Sequence, residues 1–309
     1  MMTLSFTAQI LLGLLVLLAL LFGWRWWTAA RVGQGRARGK GSGERVMPSP
    51  LRVAIGFVTN FFDTLGIGSF APTTALFRLL RVVPDELIPG TLNVGHVLPT
   101  LLQALIFIAV IDVDPLTLVT MLAAATAGAW LGAGIVTRLP KRAIRVGMGI
   151  ALLAASLLFL LANLQLFPAG GAASGLRGAA LAFAVAVNFI LGAFMTLGIG
   201  LYAPCLILVS MLGMNPIAAF PIMMGSCGFL MPVAGSRFAA SGRYDLRAAL
   251  GLLMGGVPAV LLAAFIVKQL PLFWLRWLVV VVTIYAGILM LRGAFGARMQ
   301  VPRGDVEPL

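Results

Sequence analysis

Charge is scarce in this 309-residue sequence: 10% of its residues are Asp, Glu, Lys or Arg, against about 25% in soluble domains. It has one histidine, three tyrosines, nine acidic residues and two cysteines, Cys205 and Cys227. Two cysteines cannot staple a secreted disulfide scaffold. A lone histidine without a Cys-x-x-Cys pattern builds no metal cluster, and no catalytic triad or phosphate loop is visible, so no cofactor is expected. Few charges beside 61% hydrophobic residues exclude a soluble enzyme and a disordered chain. The surplus of 22 Lys+Arg over 9 Asp+Glu, net +13, lies between long apolar runs rather than on one basic face. It therefore reports membrane orientation and speaks against a nucleic-acid partner. The chain reads as an all-α polytopic membrane protein.

A transmembrane helix needs about 20 apolar residues. The first such run, Ala8 to about Trp27, has its basic residues after it rather than before it, with Trp24, Trp26 and Trp27 at the boundary. That is the order of a retained anchor, not of a cleaved signal peptide. We assign residues 1–30 to the anchor and 31–50 to an irregular, basic cytoplasmic linker. Further apolar stretches follow at 51–83, 88–111, 115–137, 143–162, 178–213, 216–236, 247–267 and 273–292. Two of them, 51–83 and 178–213, are too long for one straight span. Each carries a Gly-x-Gly and a proline near its centre, a combination that breaks a helix.

These two segments are copies. Phe62-Asp-Thr64-Leu65-Gly66-Ile67-Gly68-Ser-Phe-Ala71-Pro72 matches Phe194-Met-Thr196-Leu197-Gly198-Ile199-Gly200-Leu-Tyr-Ala203-Pro204, with eight of eleven positions identical at an offset of 132. The same offset carries Pro84 onto Pro216 and Pro89 onto Pro221. Leu139-Pro140 and Arg145 match Leu270-Pro271 and Arg276 at 131, so a single-residue gap separates the two registers. The repeats are set at 51–165 and 178–295, with 296–309 a cytoplasmic tail.

If each broken segment enters the membrane and returns to the same side, each repeat has three full spans plus one re-entrant hairpin. The second repeat then lies upside down. Nineteen basic residues fall on the cytoplasmic side and only Arg177, Lys268 and Arg276 outside, as the positive-inside rule requires. Spanning segments would instead place the basic loop Arg138–Arg145 outside. The expected fold is thus seven spans and two hairpins in an inverted repeat, N-terminus outside and C-terminus cytoplasmic.

Non-helical backbone at membrane depth survives only inside protein or beside a wet cavity. Pro72 and Pro204 suit the first position of a half-helix, where a missing N–H costs nothing. Gly66, Gly68, Gly198 and Gly200 let the chain turn and let a ligand approach. Two half-helix N-termini meeting near the midplane would favour a small anion. Close helix packing by small residues is the plainer reading of the glycines; their duplication with a matched proline favours the binding role.

The Leu-Gly-Ile-Gly-x-x-x-Pro elements at 65–72 and 197–204 resemble the glycine-rich motif of the TauE/SafE sulfite exporter family. The run Gly255-Gly-Val-Pro-Ala, Lys268-Gln-Leu-Pro, Trp277 and Gly287-Ile-Leu resembles that family's closing segment. The likeness covers about 51–292, leaving anchor and linker as additions. It implies a secondary transporter of the bacterial inner membrane that exports sulfite, sulfoacetate or another organosulfonate by alternating access. Ser69 and Leu201 depart from the family's usual glycine triplet, so the resemblance does not by itself fix the pocket or its substrate.

Candidate substrate contacts are Thr64, Gly66, Gly68, Ser69, Pro72 and His96 in the first half. In the second they are Thr196, Gly198, Gly200, Tyr202, Pro204, Cys205 and Ser226. Asp63, the one acidic residue inside an apolar segment, is a candidate for proton or sodium coupling, with Asn60 and Asn93 beside it. A structural hydrogen-bond network is the rival reading for Asp63, and packing for His96, whose helix face Gln103 would share. Arg237, Arg243 and Arg247 read as cytoplasmic anchors, or as a gate that attracts anions. The rivals in function are a carrier or channel for another anion such as a carboxylate, and a membrane-embedded scaffold or enzyme using the two thiols. Membrane lipid is the other expected partner; no pattern specifies an oligomeric state.

Overall fold

The computed structural model describes residues 5–38, 47–166, 171–198, 200–266 and individual positions between 277 and 295. The 296–309 tail, all of residues 268–276 and part of the 273–292 span lie outside the described residues. Among the described residues the chain is helical without strands: α1 (Phe6–Arg38), α2 (Pro50–Thr64), α3 (Phe70–Leu79), α4 (Ile88–Gly95), α5 (Val97–Val110), α6 (Pro115–Val136), α7 (Lys141–Asn163), α8 (Gly178–Met195), α9 (Tyr202–Met211), α10 (Ala219–Ser241) and α11 (Leu246–Ile266). Six stretches are long and apolar enough to cross a membrane: Phe6–Thr28, Asp85–Val110, Pro115–Val136, Gly178–Met195, Pro216–Ser241 and Leu246–Ala264. Five coincide with expected spans. The sixth, Gly178–Met195, is the first arm of the second broken segment.

Both long segments do break. The arms α2 and α3 have 15 and 10 residues, about 22 and 15 Å, so neither reaches across a core of about 30 Å. The second segment parts into α8 and α9 at the matching place. α9 starts at Tyr202 where α3 starts at Phe70, and each has 10 residues. The likeness extends to the helix caps. Asp114 accepts from the Thr117 N–H at the start of α6 (2.9 Å), and Asp245 accepts from the Ala248 N–H at the start of α11 (2.7 Å).

Three expectations change. Residues 31–38, read as irregular, continue α1; they contain no proline, and Ala, Arg and Gln favour helix. The 88–111 span is interrupted at His96, which ends α4 and opens α5. Pro72 and Pro204 stand third in α3 and α9 rather than first. That position serves as well, because a helix's first N–H groups have no partner within it; the first i−4 bonds are made by Thr73 and Cys205, one residue later.

Two polar clusters mark opposite ends of the bundle. At one, Arg243 donates to the carbonyls of Thr137 and Leu139 past α6. The Asp245 N–H donates to the Thr91 hydroxyl of α4, and buried Asp85 accepts from Arg78 at the end of α3 and Arg145 of α7. Arg52, at the start of α2, lies there against Gly251 of α11. At the other end Asp114 pairs with Arg177 before α8. Burial opposes the charge of Asp114, but the Thr117 N–H and hydroxyl and the Arg177 guanidinium outweigh it and hold the carboxyl below its usual range. Backbone bonds there tie residues 171–173, before α8, to 213–215, after α9. α6, 22 residues long, runs from the second cluster to the first.

The closest helix pairs are α2 with α11 and α8 with α6. Gly56 and Gly255 make the first, against Leu252 and Val53; Gly192 and Gly128 make the second, against Ala125 and Phe189. A Cβ on any of the four would stand no more than 2.6 Å from opposing backbone, the close approach that small residues permit between membrane helices. α1 packs on α5 and α10. Buried Leu15 and Phe22 meet Gly228 and Gly235, and the Trp26 indole donates to the Tyr244 hydroxyl (3.2 Å).

Candidate functional site

The two breaks face each other. Asp63, Gly68, Ser69 and Phe70 of the first and Met195, Gly200, Leu201 and Tyr202 of the second line one void, closed by Thr100 of α5 and Cys227 of α10. A Cβ built on Gly68 would lie 3.9 Å from that of Tyr202, so the tips are in contact. The void is about 10 Å³, room for one water-sized particle. It has no space for a sulfonate group in this conformation.

Backbone geometry makes the tips. Gly66 and Gly198 follow the last turn of α2 and α8 with φ of +87° and +96°, and Gly68 has φ +88°. A side chain in this region is strained. A Cβ on Gly200 would meet nothing within 4 Å. Phe220 covers Gly66. Beyond the tips, α3 and α9 start at the void with first-turn N–H groups that no helical carbonyl can take.

Side chains from both halves join around this point. Gln103 of α5 donates its amide to the Asp63 carboxylate (2.9 Å) and the Thr64 hydroxyl (3.0 Å). Its carbonyl oxygen accepts from the Tyr202 hydroxyl (2.8 Å). Ser69 adds hydrogen-bonding groups beside Asp63. A second set holds His96. The Asn60 amide nitrogen is committed to the Gly56 carbonyl (2.7 Å), so its oxygen faces His96 Nδ1 (3.0 Å). This assigns the ring proton to Nδ1 and leaves Nε2 to accept from the Thr73 hydroxyl (3.3 Å). His96 thus ties α2 to α3 at the point where its own helix is interrupted. Asn60, Asp63, His96 and Gln103 are all buried.

Other candidates stand apart from this group. Asn93 donates to the Pro89 carbonyl (2.9 Å), and its buried side-chain oxygen has no hydrogen-bond partner. Thr196 turns its hydroxyl back to the Ala193 carbonyl (2.7 Å). Ser226 accepts from Asn188 of α8 (3.1 Å), outside the residues lining the void. Cys205 is a buried free thiol, and Cys227 donates to the Met195 sulfur at 3.5 Å. Pro72 and Pro204 shape the half-helix starts. Residue reasoning missed Thr73, Thr100 and Met195 and gave Gln103 too small a part. Its signal was a buried-span amide seven residues, about two turns, past His96.

Among the described residues no arginine or lysine lines the void, so attraction for an anion there has to come from N–H and O–H groups. Among the described residues no group of three or more His, Cys, Asp or Glu stands ready for a metal ion. No curated protein and no solved structure matches the chain. The family model described as sulfite exporter TauE/SafE matches residues 1–159. That range includes α1, read from sequence as an addition, and ends before the second repeat. Members of this family are membrane transporters, and the match covers more than half of the chain: the protein belongs to the sulfite exporter TauE/SafE family.

Proposed function

We propose that the protein moves a small sulfur-containing anion, sulfite or an organosulfonate, outward across the bacterial inner membrane. The observation that carries this reading is the meeting of two duplicated helix breaks around one void, with Gln103 joining Asp63 of one half to Tyr202 of the other. The anion sits between the tips, held by the first-turn N–H groups of α3 and α9; the Ser69 and Tyr202 hydroxyls, which face Asp63 and Gln103 in this conformation, turn to it as the tips part. Gly68 and Gly200 keep the approach clear, and Gly66 and Gly198 make the turns that lead into it.

On this reading residues 51–165 and 178–295 are inverted repeats. The start of α2 and the end of α3 share one polar cluster, and the segments flanking α8 and α9 share the other, which supports two hairpins entering from opposite faces. The end with Arg52, Arg78, Arg145 and Arg243 is cytoplasmic by its charge. α1 follows the direction of α10 toward that end, which puts the N-terminus outside. Because the void is too small for the anion, one hairpin has to shift to admit it, as alternating access requires.

Asp63 is the coupling group, with His96 and Asn60 positioning its helix. An ionised Asp63 repels an anion, so we assign it a proton when the anion is bound. Anion and proton then move together, which makes transport depend on pH.

Proteoliposomes loaded with sulfite or sulfoacetate test this. Efflux should respond to a proton gradient in the parent protein and lose that response in Asp63→Asn while some transport remains. Carboxylate transport without sulfite or sulfonate transport would overturn the substrate assignment. An unchanged pH response in Asp63→Asn would overturn the coupling role.

A further inference from the structure

A second cavity, far larger than the void between the tips, opens between α1, α6 and α10. It measures about 990 Å³, the upper range for sites that hold a whole organic ligand. One wall is α1 through Leu18, Leu21 and Phe22; the other is α10 through Val233 and Arg237, with Trp130 of α6 at the side. The walls are mainly apolar, and the charge is at one end.

That end is built around two arginines. Phe22 lies against Gly235, and Leu15 against Gly228, so α1 and α10 run side by side in one direction. Arg25, three residues beyond Phe22, therefore stands at the level of Arg237, two beyond Gly235. The Arg237 guanidinium lies over the Trp130 ring, 4.2 Å from its centroid. Stacking covers one flat face of the guanidinium, one of its terminal nitrogens lies against Gly134 of α6, and the side chain lines the cavity. Neither Arg25 nor Arg237 has a carboxylate partner among the described residues. Arg243 differs, since one of its terminal nitrogens is held by the Thr137 and Leu139 carbonyls. Trp24 and Trp130 are exposed at the same end, as aromatic side chains are at a membrane interface.

Two unpaired cations at the mouth of an apolar groove call for a molecule that is anionic at one end and apolar along the rest. A free inorganic anion satisfies the arginines and leaves the groove unfilled; a neutral lipid does the reverse. We propose that this groove binds one anionic phospholipid, its phosphate between Arg25 and Arg237 and an acyl chain along Leu18, Leu21 and Val233. The bound lipid fastens α1 to α6 and α10. The assignment is independent of the substrate and of the site between the tips.

The test is native mass spectrometry and thermal melting of the full-length protein in detergent with added phosphatidylglycerol, phosphatidylcholine or inorganic phosphate. Phosphatidylglycerol should be retained and raise Tm, phosphatidylcholine at least fivefold less so. Arg237→Gln should weaken phosphatidylglycerol retention about tenfold, and Arg25→Gln similarly. Ser236→Trp, which keeps both arginines but fills the groove, should have the same effect and guards against a fold defect in the arginine variants. Equal retention of the two lipids, stabilisation by phosphate alone, or unchanged retention in Ser236→Trp would each overturn the proposal.

Discussion

The two halves share a backbone and differ in chemistry. Asn60, Asp63, Ser69 and Thr73 of the first half stand where the second has Gly192, Met195, Leu201 and Cys205. His96 and Gln103 fall opposite the Cys227-Gly228 and Ala234-Gly235 stretches. Polarity in the first half is therefore met by glycine, sulfur and aliphatic carbon in the second. Tyr202, opposite Phe70, reverses the pattern at the tip, and its hydroxyl reaches across to Gln103 (2.8 Å). The single-residue difference between the repeats falls between Pro89 and Asp114 on one side and Pro221 and Asp245 on the other. That is where His96 interrupts α4 and α5, whereas α10 runs through. The two breaks match in where their helices end and start, and the buried carboxylate and histidine stand beside the first of them.

The sharpest way to break this asymmetry is Gln103→Leu. It strands the buried Asp63 carboxylate and the Tyr202 hydroxyl together, at a cost of about 3 kcal/mol or more. Transport should vanish and Tm fall in the purified variant. Tyr202→Phe leaves Asp63 its Gln103 donor and should cost about 1 kcal/mol, with substrate affinity reduced more than stability when both are measured on one preparation.

The glycines sharpen the contrast at the tips. Gly68→Ala forces a side chain into φ +88° and should destabilise by about 1–2 kcal/mol. Gly200→Ala meets nothing within 4 Å and should leave the melting curve nearly unmoved. Equal losses would mean that the two tips are not conformationally distinct. Replacing the helix caps should cost about 1 kcal/mol each for Asp114→Ala and Asp245→Ala, the first somewhat more because Arg177 loses its partner. Asp114 also predicts a pH signature. Its carboxyl is held below the ordinary range, so its contribution is present at neutral pH and is lost as the pH falls through its folded-state value. Acid melting curves of parent and Asp114→Ala should converge there. Cys205→Ala removes one buried sulfur from an apolar turn and should cost roughly 1 kcal/mol, with full transport in proteoliposomes. Lost transport with intact folding would revive a thiol-dependent role.

Much of this was legible in the sequence because duplication writes the same signal twice. The Gly-x-Gly and proline pairs located both breaks within a residue or two, and Asp63 stood out as a carboxylate in an apolar run. What stayed hidden depends on partners remote in sequence. Nothing local to Gln103 says that it meets Asp63 and Tyr202. Nothing local to Asp85 says that Arg78 and Arg145 converge on it, so those arginines read only as orientation signals. Thr196 and Ser226 were attractive as hydroxyls, yet Thr196 turns to its own helix and Ser226 meets Asn188. A hydroxyl within a helix usually has such a near partner, and spacing alone cannot exclude it.

The pairing of α2 with α11 and of α8 with α6 has a consequence for how the molecule can be cut. Each hairpin is gripped by a helix encoded in the opposite half, and the two grips are equivalent under the repeat. Such exchange is the pattern of an isologous contact between two copies of one subunit. The present chain holds both copies covalently, so a split between residues 165 and 178 should yield two fragments that are each incomplete and recover a stable fold only when expressed together.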